Sequence, residues 1–356
     1  MFNQDITPYQ NLSILILVSF AFQSMLMPIM LTEIDGPTGW ITILIAAVLL
    51  YFAIKSFNKT MKIHDKETIV GVCDKLFPRY ISKAIGIYYI LMFLTVNSLL
   101  MKDFAEQIKL MMLFRTPIST IILSILLTAA YATKKGIQTI AHITNIALLT
   151  ALIPYLLIII FSTYYADYTN IFPIYPADTE GILKSVPAAM LSFLGFSVLL
   201  FSNCKVSVKD KNYRLNKRFI IISSLLYIGC YLLILVKFGA KEAANLVWPF
   251  VSIMKFVNIP GFFFESTEMV GLCLQMTVIF TGICILSYFT NLAMQETFKT
   301  EENGFFIYIQ IPILYLMAAA LPGMYMMFPY IHMPVYIISG LNFLIPIFVA
   351  YAGSKK

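Results

Sequence analysis

The chain of 356 residues is 60% hydrophobic and 12% charged, with a mean hydropathy of +0.83, against roughly a quarter charged in soluble domains. One core cannot hide so much apolar side chain, so lipid must be the solvent, which excludes a cytosolic globular enzyme. The net charge of +7 could suggest nucleic acid, but a membrane chain gathers Lys and Arg on its cytoplasmic loops, and no nucleic-acid partner is needed to explain it.

Met1 to Gln10 contains no Lys or Arg, so the first apolar segment reads as a retained helix and not as a cleaved signal. At about 20 apolar residues per crossing there is room for about ten spans. They are expected at 10–33, 39–57, 82–107, 117–133, 138–163, 181–203, 218–238, 265–290, 304–325 and 334–352. Backbone groups in lipid must bond internally, so each span is a helix. The fold class is all-α integral membrane, a single membrane domain over 1–356.

Charge sets the orientation. With the N-terminus inside, 18 of the 25 Lys and Arg fall on cytoplasmic segments, mostly Lys55 to Lys83 and Lys205 to Arg218, while 164–180 has none. The alternation survives every crossing and places both termini in the cytoplasm. The loop from Lys55 to Lys83 fits an amphipathic helix and an ordinary solvated loop about equally. Asn245 to Asn258 is apolar but too short to cross, and reads as an outer interfacial or re-entrant helix with Trp248 at the headgroup level. The five cysteines form no CxxC pair and read as reduced packing residues.

Ten spans divide into repeats over 10–163 and 181–352. A repeat with an odd number of helices inverts its second copy, an arrangement common among secondary transporters. The first helix of each half is expected to break near the midplane. In the first, Pro28 removes an amide donor near Ser24, leaving Gln23, Ser24 and Met25 at the break. In the second, Phe193-Leu194-Gly195-Phe196-Ser197 follows Pro187, and Gly195 allows backbone geometry that bulkier residues resist. Unwound backbone and half-helix ends attract small polar ligands.

The stretch Val247-Trp248-Pro249-Phe250, then Ile259-Pro260-Gly261-Phe262, Glu265 and Glu268, resembles the signature before helix eight in the B subunits of bacterial spore germinant receptors. Gly39-Trp40 and the Phe193 to Phe196 motif are similar to that family as well. The resemblance implies a LeuT-like 5+5 inverted repeat of the amino acid/polyamine/organocation superfamily and residence in the spore inner membrane. It also implies a nutrient ligand, foremost an amino acid, and partner subunits comprising a larger membrane protein and a lipoprotein. Departures are Ser266 between the two glutamates, Ser197 after helix-six Gly-Phe, Gln275 where a Trp is frequent, and Ala21 and Gln23 where helix one is usually glycine-rich.

The expected ligand-binding set is Gln23, Ser24, Met25, Asn97, Phe193, Gly195, Phe196 and Ser197. Trp248, Pro249, Pro260, Gly261, Glu265 and Glu268 form an outer gate or signalling patch, although Glu265 and Glu268 could simply stabilise a helix start. Lys102, Asp103 and Glu106 read as interfacial. No Asp, Glu, Lys or Arg falls near the centre of a span, which weakens ion-coupled pumping, and His142 alone does not restore it. GxSxG, HExxH, Walker and GxGxxG motifs are absent and the three His are far apart, so neither catalysis, a metal nor a cofactor is expected. A nutrient-sensing subunit leads; a secondary transporter and a scaffold with a vestigial pocket are the alternatives.

Overall fold

The computed structural model describes residues 5–64, 67–162, 167–172, 179–254, 267–300 and 304–353. The described residues form thirteen α-helices with short 3₁₀ turns. They are α1 (Pro8–Asp35), α2 (Gly39–Ile63), α3 (Ile69–Leu76), α4 (Arg79–Met111), α5 (Ile118–Lys135), α6 (Ile137–Ser162) and α7 (Thr179–Ser192). There follow α8 (Gly195–Ser202), α9 (Lys209–Ala243), α10 (Pro249–Met254), α11 (Thr267–Phe298), α12 (Phe305–Ala320) and α13 (Met324–Gly353).

Among the described residues, six helical stretches are long and apolar enough to cross a bilayer, and a seventh is the bent pair Thr179–Ser192 and Gly195–Lys205. The chain is an integral membrane protein. That number is smaller than the ten spans expected from the sequence, and α12 illustrates why. Its 16 residues extend roughly 24 Å, short of the ~30 Å hydrocarbon core.

Local chemistry fixes the helix ends. Thr7 and Gln10 form a reciprocal capping box at the start of α1, with Pro8 in its first turn, satisfying two otherwise orphan amides. The loop segment that left two readings open contains an amphipathic helix: Thr68 caps α3, and Ile69, Val70, Val72 and Cys73 are buried beneath it. Burial, with the neighbouring Asp74 charge, pushes the Cys73 thiol up to about 12, keeping it protonated as a packing residue. All five cysteines are free thiols.

The sequence suggests an interruption at Gln23 to Pro28, but α1 is one helix from Pro8 to Asp35 with Pro28 inside it. One proline removes a single amide donor, a loss that membrane helices tolerate. Thr32 Oγ1 donates to the Pro28 carbonyl at 2.6 Å, and Ser24 Oγ to the Ala21 carbonyl at 3.0 Å.

α1 runs through the middle of the bundle, packed on α6, α7, α8, α9 and α11. Close approach depends on small residues. A Cβ on Gly282 of α11 would stand 2.8 Å from Ala21 Cβ. α4 and α11 run antiparallel, since Gly86 faces Thr297 while Asn97 bonds Ser287.

Candidate functional site

Helix six is interrupted. α7 stops at Ser192 and α8 starts at Gly195, with a 45° bend between them. Across the bend the ladder tightens to three-residue bonds: Phe193 N to Met190 O, Phe196 N to Phe193 O and Ser197 N to Leu194 O. Such a step frees backbone groups that must find partners elsewhere when buried. The Gly195 amide donates to Ser19 Oγ of α1 at 2.7 Å, and the Ser192 carbonyl accepts from the Tyr227 hydroxyl of α9 at 2.7 Å. The two sides of the break are therefore each held by a side-chain hydroxyl from a neighbouring helix, Gly195 N–H by Ser19 of α1 and Ser192 C=O by Tyr227 of α9.

Gly195 is required here for space. A Cβ at this position would collide with the Leu15 carbonyl, with Ser19 Oγ and with the Phe219 ring, so α1 lies directly against the break. Phe193 stacks tilted on Tyr227 with ring centroids 4.7 Å apart, closing one side with apolar surface.

Gln23 lies four residues beyond Ser19, and residues at this spacing share a helix face. It follows Leu15 and Ser19 on the side of α1 that meets helix six. Its side chain is fully buried, and neither amide atom has a hydrogen-bond partner among the described residues. An unpaired buried amide costs about 1–3 kcal/mol, so an unpaired Gln one turn from a helix break marks a position suited to a polar guest. Gln275 of α11 is likewise buried with both amide atoms unpaired.

The structure brings together part of the set named from sequence. Phe193 and Gly195 lie at the break, Gln23 lies one helical turn along α1 from Ser19, and Ser24 is bonded to its own helix. Phe196 is fully buried in α8, and Ser197 Oγ accepts from Asn342 Nδ2 of α13 at 2.7 Å. Asn97 is engaged through its amide nitrogen, which donates to Ser287 Oγ of α11 at 2.9 Å, while its buried Oδ1 has no partner among the described residues. Met25 lies in α1, with its side chain outside the described residues. Pro260, Gly261 and Glu265 lie outside them altogether, as does the Glu268 side chain.

Sequence reasoning missed Ser19 and Tyr227. The available signal was the Ser19–Gln23 pair, two polar residues one turn apart in an otherwise apolar stretch of helix one.

Polar clusters lie towards the two ends of α1. At its N-terminal end, Asn11 donates to Asn212 at 2.9 Å, Asn212 and Asn216 donate to Asn203 Oδ1 at 2.7 and 3.0 Å, and Asn216 reaches Asn58 at 3.4 Å. A backbone bridge adds to this cluster, with Ile6 N donating to the Lys205 carbonyl at 2.8 Å and Ser207 N to the Ile6 carbonyl at 3.1 Å. At the other end, buried Asp35 accepts from Thr42 Oγ1 at 2.6 Å and from Ser185 Oγ at 2.7 Å, tying α1, α2 and α7.

Lys102 and Asp103, expected at the interface, are buried within the protein: Asp103 has no exposed surface and Lys102 is 7% exposed. Asp103 accepts from Gln107 Nε2 and from Trp248 Nε1, each at 2.8 Å, and these donors offset the burial of its charge. Trp248 thus anchors the segment before α10 to α4, and Pro249 opens α10.

Residues 5–323 match the sequence profile of a family described as spore germination protein. Among curated relatives, spore germination protein A2 of Bacillus subtilis (strain 168) is 26% identical over 284 residues, 80% of this chain and 78% of that protein. Spore germination protein YndE of the same organism is 24% identical over 318 residues, 88% of this chain and 86% of that protein. Spore germination protein B2, also from that organism, is 21% identical over 280 residues, 77% and 75% of the two chains.

Proposed function

The chain belongs to the spore germination protein family, and from that premise we propose that it is the nutrient-sensing membrane subunit of a spore germinant receptor. The ligand is a small nutrient, with amino acids as first candidates, bound where the helix-six break meets α1. The observation that carries this reading is the juxtaposition, inside an apolar bundle, of the Phe193–Gly195 break with Ser19, Tyr227 and the unpaired Gln23 amide.

In this reading the ten helical segments cross the spore inner membrane as an inverted 5+5 repeat of LeuT type, with both termini cytoplasmic. α7 and α8 together make the sixth crossing. Twin breaks are not required, because α1 contributes the polar side chains of Ser19 and Gln23 from an uninterrupted helix. Ligand binding biases an equilibrium between two packings of the bundle, through different affinity for the two states. Partner subunits, a larger membrane protein and a lipoprotein, read the result, and no catalytic step is involved.

A secondary transporter would use the same motion for net flux. The absence of ionisable side chains from the break favours sensing over ion-coupled transport. Counterflow uptake into liposomes, paired with nutrient binding to the same preparation, tests the proposal. Binding without accumulation is expected, and concentrative uptake would replace the sensor with a transporter.

A further inference from the structure

The chemistry around the break constrains what can bind there. A carboxylate arriving at an interrupted helix needs free amide donors or a cation to repay its lost hydration. Here the Gly195 amide is already taken by Ser19 and the Ser192 carbonyl by Tyr227, which leaves the Leu194 amide as the single unbonded backbone donor between α7 and α8, too little on its own for a carboxylate. Cations are also absent from the surrounding helices: α1, α8 and α11 contain no Lys or Arg, and the only one in α7 is Lys184. Lys184 lies three turns from Gly195, largely exposed and paired with Glu180 at 2.6 Å. α9 has no Lys or Arg between Phe219 and Val236. Beside that one amide, what is on offer is the Gln23 side chain, with donors and an acceptor side by side and all of them unpaired among the described residues.

We infer that the group recognised at this site is uncharged and presents a hydrogen-bond donor beside an acceptor, as a primary amide or two neighbouring hydroxyls do. Gln23 pairs with that group, and Ser19 is the specificity-determining residue that withholds the Gly195 amide from carboxylates. This rests on the proposed ligand site and narrows it: a nutrient enters the break through a neutral polar group, so that among amino acids those with an amide side chain are preferred. Ser19 is not a passive filler in this scheme. Removing its hydroxyl frees a second backbone donor beside that of Leu194, opening the position to anions.

The experiment uses the full chain in lipid nanodiscs and reads thermal unfolding with four probes at one concentration: L-glutamine, L-glutamate, L-alanine and xylitol. L-glutamine or xylitol should raise the midpoint, and which of them does so distinguishes an amide from a polyol. L-glutamate and L-alanine should not shift it. Gln23→Leu should abolish the stabilisation, with isosteric Gln23→Glu as the second variant should the leucine protein fail to fold. Ser19→Ala should gain binding to L-alanine or L-glutamate, lowering the apparent Kd about tenfold or more.

The inference is overturned when L-alanine and L-glutamate stabilise the unaltered chain and the Gln23 variants alike, or when neither L-glutamine nor xylitol stabilises the unaltered chain. Failure of the underlying site reads differently. A probe that stabilises Gly195→Trp as well as the unaltered chain binds away from the break, and the functional proposal then falls with it.

Discussion

The backbone amide of Gly195 donates to the Ser19 hydroxyl at 2.7 Å across a sequence separation of 176 residues. This bond fastens helix one to the point where helix six bends. It exists because residue 195 has no Cβ, since one would run into the Leu15 carbonyl and the Phe219 ring.

Gly195→Ala should therefore push α1 off the break. Overpacking of a close-packed site costs about 1–3 kcal/mol, and the bond from the residue-195 amide to Ser19 would lengthen with it. A lowered unfolding midpoint in nanodiscs is expected, together with a weakened nutrient response. A variant as stable as the parent would mean that the helices separate without cost.

What was legible in the sequence was what the bilayer itself demands. Helices follow from apolar runs whose backbone must bond internally, and the helix-six interruption follows from Phe193-Leu194-Gly195 after Pro187. The contacts that give the break its character were not legible. Ser19 and Tyr227 meet the break across long stretches of chain, and nothing in composition or spacing pairs them. Asp103 looked interfacial because it stands near a helix end beside Lys102 and Glu106. Its burial depends on Trp248, 145 residues away. Pro28 costs α1 a single amide donor, which does not interrupt the helix.

The buried asparagines offer a graded test of the N-terminal end of the bundle. Asn212 bonds both Asn11 and Asn203, whereas Asn58 sits at the end of the chain of bonds and makes only long contacts of 3.4 Å. Asn212→Leu takes the acceptor from Asn11 Nδ2, at about 1–3 kcal/mol, and leaves Asn203 Oδ1 with Asn216 as its donor, so it should lower the midpoint more than Asn58→Leu. Equal effects would indicate that the network does not act as a connected unit.

A pH dependence follows from Asp74, which lies on α3 and pairs with Lys299 at 2.8 Å. Partial burial raises its carboxyl pKa, but hydrogen bonds from Lys299 and Ser82 and the charges of Lys299 and Arg79 outweigh that effect and leave it below the ordinary value. A depressed folded value stabilises above the unfolded carboxylate pKa of about 3.9 and is lost as pH falls through the folded value. Lys299 is 57% exposed, so the pair is worth at most about 1 kcal/mol. Asp74→Asn should lower the midpoint slightly at pH 7, and the difference should close as pH drops below about 4. A difference that persists into acid would assign the effect to packing.

The account turns on one buried side chain being open for a guest. Nutrient dose–response curves of spores carrying Gln23→Leu, matched to the parent for receptor level in the inner membrane, test this most directly. A rightward shift of about tenfold or more, with membrane insertion intact, is the predicted result. An unchanged curve would contradict the account and move the ligand away from helices one and six.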